Sequence, residues 1–113
     1  MKQITESRKK MKKDALIGYE YAYYFKNENW IEYYHYLDKR FYRVDKNKKP
    51  KLFEAVKNNG VKFKTVDDDN GDAMHGVFWS PHGIDFEPLE YMEADRGHTM
   101  LYYKEPQKDW QVL

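Results

Sequence analysis

Three of the four histidines stand beside a glycine: His75 before Gly76, His82 before Gly83, and His98 after Gly97. A neighbouring glycine places such side chains at turns, where backbone can approach a ligand closely. Asp85 follows His82 by three residues and is of a type that orients an imidazole or joins it on a metal. His75, His82, Asp85 and His98 would together make a sensible zinc or iron donor set, and so a metal-dependent enzyme. Spacing argues against it, because neither His-x-His nor His-x3-His occurs. The expectation is that these histidines serve separate turns and that no metal or other cofactor is needed.

The run Asp67, Asp68, Asp69, Asn70, Gly71, Asp72 has the composition of a calcium loop but not its register. With Asp68, Asn70 and Asp72 as the first, third and fifth residues, Ala73 falls where the loop needs glycine and Trp79 where it needs glutamate. Phosphate-binding, dinucleotide-binding and nucleophile-elbow motifs are absent, and Ser80 precedes a proline. Glu87, Glu90 and Glu93 recur every third residue, which on a strand is no common face. With no cysteine, disulfide frameworks, thiolate metal sites and thiol catalysis are excluded.

Charge divides the chain. Residues 1–64 hold 14 Lys and 3 Arg against 8 acids, whereas residues 65–113 hold three bases against 11 acids. Such asymmetry points to interaction surfaces. Arg8, Lys9, Lys10, Lys12 and Lys13 form a basic cluster suited to nucleic acid, although no zinc-finger, RNP or helix-turn-helix signature accompanies it. The acidic half is expected to supply the principal contact surface, through Asp67, Asp68, Asp69 and Asp72, with Trp79 and Tyr91 as aromatic anchors. Its expected partner is a protein with a basic surface, such as a nucleic-acid-handling protein. The leading expectation is thus a small, non-enzymatic binding or regulatory protein. A nucleic-acid-binding regulator and the histidine metalloenzyme stand as alternatives.

These residues need a scaffold, and 113 residues suffice for one domain. Leu, Ile, Val and Phe supply only 22 residues, so the core must draw on 11 Tyr and 3 Trp. Residues 3–16 show helical spacing, continued to about Lys26. Asn29 and Glu32 make a capping box before Trp30, Tyr33, Tyr34, Leu37, Phe41 and Val44, which predicts a helix over 30–44 with Trp30, Leu37 and Phe41 buried. On that reading Leu37→Ala costs about 2 to 5 kcal/mol. Pro50 opens a third helix and Gly60 closes it with a left-handed cap. Strands are expected at 61–66, 74–79, 84–92 and 99–104. The fold class is α+β: N-terminal helices (1–60) packed on one face of a small C-terminal antiparallel sheet (61–104), then a tail (105–113). No secretory signal or long apolar run is found, which predicts a cytoplasmic protein without a membrane anchor. Lysine outnumbers arginine 16 to 4, as in AT-rich genomes of low-GC bacteria or their phages.

Overall fold

A period of two, not 3.6, governs residues 19 to 45. In the computed structural model, which describes residues 15–113, these residues form a three-stranded meander: β1 (Tyr19–Phe25), β2 (Trp30–His35) and β3 (Arg40–Asp45). A short 3-10 turn (Lys46–Lys48) leads to α1 (Pro50–Asn59). Then come β4 (Val61–Val66), β5 (Ala73–Trp79), α2 (Glu87–Arg96), β6 (Met100–Lys104) and the two-residue β7 (Gln111–Val112). All strands join one antiparallel sheet in the order β3-β2-β1-β5-β4-β6-β7. Among the described residues no helix is long and apolar enough to cross a membrane.

This corrects the expected α+β arrangement. Among the described residues the sheet is not small, the helices follow the β1–β3 meander, and neither covers 30–44. Residues 3–14 of the first expected helix lie outside the described residues, and its extension to Lys26 is strand β1. The expected helix over 30–44 is the β2–β3 hairpin, whose turn leaves Leu37 74% and Phe41 68% exposed. The misreading has a physical cause. Trp30, Glu32 and Tyr34 face one side of the sheet while Ile31 and Tyr33 face the other, and both sides are apolar. A strand apolar on both faces loses its alternation and can match a helical stripe. Glu32, read as a helix cap, instead bonds across strands to Tyr23 and Arg43.

The helix at 50–59 is present with Pro50 in its first turn, as expected, but Gly60 is extended at φ −83°. A Cβ there would lie 2.5 Å from Val77 Cγ1, so glycine is needed for close approach rather than for a left-handed cap. The expected strand over 84–92 is α2. Pro88 lies in its first turn, Glu87 and Glu90 favour its positive end, and left-handed Gly97 closes it.

The helices lie on opposite faces. From α1, Leu52, Ala55 and Val56 pack on Ala22, Tyr24, Ile31, Tyr33 and Val77. On the other face Met92 of α2 joins Tyr23, Phe25, Phe63, Phe78 and Leu101, flanked by Leu89 and Tyr91. Successive β1 residues thus feed two different cores. Gly76 sits where they meet: a Cβ there would come within 2.1 Å of the Tyr24 carbonyl oxygen and 2.6 Å of the Phe63 ring.

Two consequences can be measured by urea denaturation. Leu37→Ala should change stability by less than about 0.5 kcal/mol, whereas Ile31→Ala, fully buried on β2, should cost about 2 to 5 kcal/mol. Gly76→Ala should cost about 1 to 3 kcal/mol through overpacking against backbone that cannot move aside.

Candidate functional site: an acidic, ring-lined cleft

On its own face α2 packs against β4 and β6, and the sheet surface over β1–β3 forms an open cleft of about 600 Å³. One irregularity shapes its wall. Tyr19 pairs with His35 and Tyr21 with Tyr34, so Glu20 is an extra residue in β1. Bulges of this kind re-aim side chains. Here Tyr19 packs on the α1 face while Tyr21 packs on the α2 face, and Glu20 joins Tyr21 at the cleft. Rings make the floor. Tyr21 stacks between Phe78, with centroids 5.9 Å apart, and Tyr34 at 6.4 Å, while Phe41 stands at the rim.

Carboxylates outnumber cations around these rings. Glu20 and Glu32 come from the meander, and Asp85, Glu87 and Glu90 from the approach to α2 and its first turn. Arg43 neutralises Glu32: its Nη2 donates to Oε1 at 2.7 Å, and the Tyr23 hydroxyl donates to Oε2 at 2.5 Å. The same guanidinium lies over Trp30 and Tyr91, 4.4 and 4.2 Å from their ring centres. Among the described residues the other four carboxylates of the cleft form no ion pair.

Glu87 is the unusual member. Its Oε2 is buried without a hydrogen-bond partner. Burial, followed by the charges of Asp85, Glu90 and Glu32, pushes its carboxyl above the usual range. Tyr21 and Tyr23 are likewise pushed up, first by burial, with Glu32 adding to both. The cleft thus sets surplus carboxylates beside tyrosine hydroxyls that keep their protons.

The residues singled out from sequence are dispersed. His82, Asp85 and Tyr91 line this cleft, whereas His75 and Trp79 project from β5 on the other face and His98 is interior. Among the described residues no group of three or more His, Asp or Glu side chains is arranged to hold a metal ion. The Asp67–Asp72 turn ends the β4–β5 hairpin, and Trp79 lies at the opposite end of β5. Asp67 and Asn70 accept from amides within that turn, at 2.9 and 2.8 Å. Arg8, Lys9, Lys10, Lys12 and Lys13 lie outside the described residues. Glu20, Glu32, Arg43 and Tyr34 were not singled out as site residues, because only the strand pairing brings them together. For Glu87 and Glu90 a signal existed. Their three-residue recurrence around Pro88, followed by Gly97, is helix punctuation.

The structure does unite Asp72 with His98. His98 Nε2 donates to Asp72 Oδ2 at 3.0 Å, and its Nδ1 lies 2.9 Å from Thr65 Oγ1. This hydroxyl, imidazole and carboxylate copy the order of a nucleophilic triad, but Thr65 and His98 are both 0% exposed and no substrate can reach them. The network is a structural tie between β4, the α2–β6 connection and the hairpin turn.

Comparison with protein-family models, curated proteins and solved structures finds no match for this chain.

The Asp72 tie sets a pH dependence. The His98 hydrogen bond, aided by Arg96, holds the Asp72 carboxyl below its usual range. A depressed carboxyl stabilises the fold above its unfolded pKa, near 3.9, and that contribution is lost as pH falls through the folded value. Asp72→Asn should therefore lower Tm at pH 7 more than at pH 3. An equal drop at both values would deny the tie.

Proposed function

We propose that this protein is a non-enzymatic, cytoplasmic binding protein whose acidic cleft takes a lysine or arginine side chain from a protein with a basic surface, such as one that handles nucleic acid. The observation that carries this reading is Glu87, a carboxylate with a buried, unpartnered oxygen in the wall of an open, ring-lined cleft. A buried polar atom left unpaired costs free energy, and an entering cation would remove that cost. The half-buried ring of Tyr34 and the exposed ring of Phe41 suit a guanidinium or ammonium. Arg43, held against Glu32 and two rings, is the same chemistry supplied internally. Surplus negative charge speeds encounter with a basic partner, and the rings lengthen its stay. The expected partner chemistry is retained, while the contact surface moves from the Asp67–Asp72 turn to the cleft.

A labelled arginine-containing peptide titrated against the full chain between pH 5 and 8 tests this. Because burial lifts the Glu87 carboxyl, folding favours its protonated form, and that stabilisation disappears as pH rises through the folded pKa. Cation binding favours the ionised form, so affinity should rise with pH across the same window. Glu87→Gln should weaken binding roughly tenfold, a loss of about 1.4 kcal/mol, and flatten its pH dependence. The same change should raise the Tm of the free protein at pH 7. Peptide binding indifferent to Glu87→Gln and to Tyr34→Ala would sink the reading.

A further inference from the structure

On the opposite face, the part of the sheet beyond α1 carries the opposite charge. Pairing register arranges its side chains in rows. His75 of β5, Lys64 of β4 and Tyr102 of β6 stand side by side in one row. In the next row Lys62 stands directly across from Lys104. Like charges directly opposite destabilise a sheet. Among the described residues Lys26, Lys62, Lys64 and Lys104 form no ion pair.

Two rings lie among these ammoniums. Trp110, just before β7, folds back over the sheet so that Lys64 Nζ lies 4.6 Å from its ring centre and 5.2 Å from that of Tyr102. The His75 ring is 5.9 Å from Trp110. Lys26 continues from β1 beside this row, its amide donating to the His75 carbonyl at 2.8 Å, and its charge is close enough to act on the His75 imidazole. Of the nearby acids Glu105 pairs with Lys108, while Asp109 accepts from the Trp110 amide and keeps its charge. His75 registers the resulting field, since burial and then Lys26 and Lys64 hold its imidazole below the ordinary value.

We infer that this face binds single-stranded nucleic acid, with phosphates on Lys26, Lys62 and Lys104 and bases on the rings of Tyr102 and Trp110. A polyanion would convert the opposed lysines from a cost into a clamp. Tyr102 and Trp110 are only half-buried, and such rings favour unpaired bases, since stacking needs a free base face and duplex DNA hides its own. This reading is independent of the cleft, which lies on the other side of the sheet.

The test is fluorescence anisotropy of a labelled oligothymidine with the full chain, at 50 to 200 mM salt. Log affinity should fall with log salt at about −0.7 per phosphate neutralised. Lys62→Gln with Lys104→Gln should weaken binding at least tenfold and flatten that slope. Trp110→Leu should weaken binding severalfold with the slope unchanged, and should abolish any quenching of tryptophan emission. Thermal melting keeps the lysine variants interpretable, because relieving the opposed charges should leave Tm unchanged or raise it. Glu87→Gln should not alter oligonucleotide affinity, which separates this inference from the cleft. Equal affinity for duplex DNA or heparin would overturn it, as would preference for an acidic peptide. So would loss of binding on neutralising Lys9, Lys10, Lys12 and Lys13 while the variants on this face bind normally.

Discussion

Among the described residues, two helices of ten residues cannot cover both faces of a seven-stranded sheet. Each helix is about 15 Å long, while six strand spacings make the sheet about 29 Å wide. Strand β1, next to the central β5, must be covered on both sides, and α1 and α2 do so from opposite faces and toward opposite edges. Each leaves part of its face open, and the two open areas lie diagonally across the sheet. Side chains there must tolerate water on one side and a packed sheet on the other. Tyrosine, tryptophan and the aliphatic stem of lysine meet that requirement better than leucine or valine. The 11 tyrosines are the compositional trace of an incompletely covered sheet.

The same geometry re-sorts charge. Along the chain, bases lead and acids follow, yet the cleft draws Glu20 and Glu32 from the basic half, and the opposite face draws Lys104 from the acidic half. Among the described residues every ion pair joins two members of the same half, so the linear asymmetry is not spent on holding the halves together. Charge is segregated by face instead, because a strand order that places β5 beside β1 and β6 beside β4 interleaves the two halves.

Legibility in the sequence followed one-sidedness. The helix from Pro50, the β4–β5 hairpin and strand β6 could be read because polar turn residues bound each of them and, in α1 and β4, one face is polar. The meander could not, because Tyr21, Ala22, Tyr23, Tyr24 and Phe25 are all buried and carry no face signal. The strand expected at 84–92 differs for another reason: Pro88 breaks a strand but opens a helix, and here it stands in the first turn of α2. The cleft was legible only in fragments, as His82, Asp85 and Tyr91, because its carboxylates converge through a bulge and a strand order that no local pattern encodes.

Strand order also divides the sheet into two locally connected units. The β1–β3 meander and the β4–β6 block are each stitched mainly by neighbours in sequence, and only the β1–β5 seam joins them, pairing residues more than 50 positions apart. Ahead of the β4–β6 pairing, whose partners stand 34 to 42 positions apart, that seam closes the longest loops of the sheet. Gly76 lies within it opposite Phe25, and both hydrophobic cores are completed only when it closes. Neither unit can bury its share of β1 or β5 alone, so the two should melt as a single cooperative body despite the opposite charges on their outer surfaces.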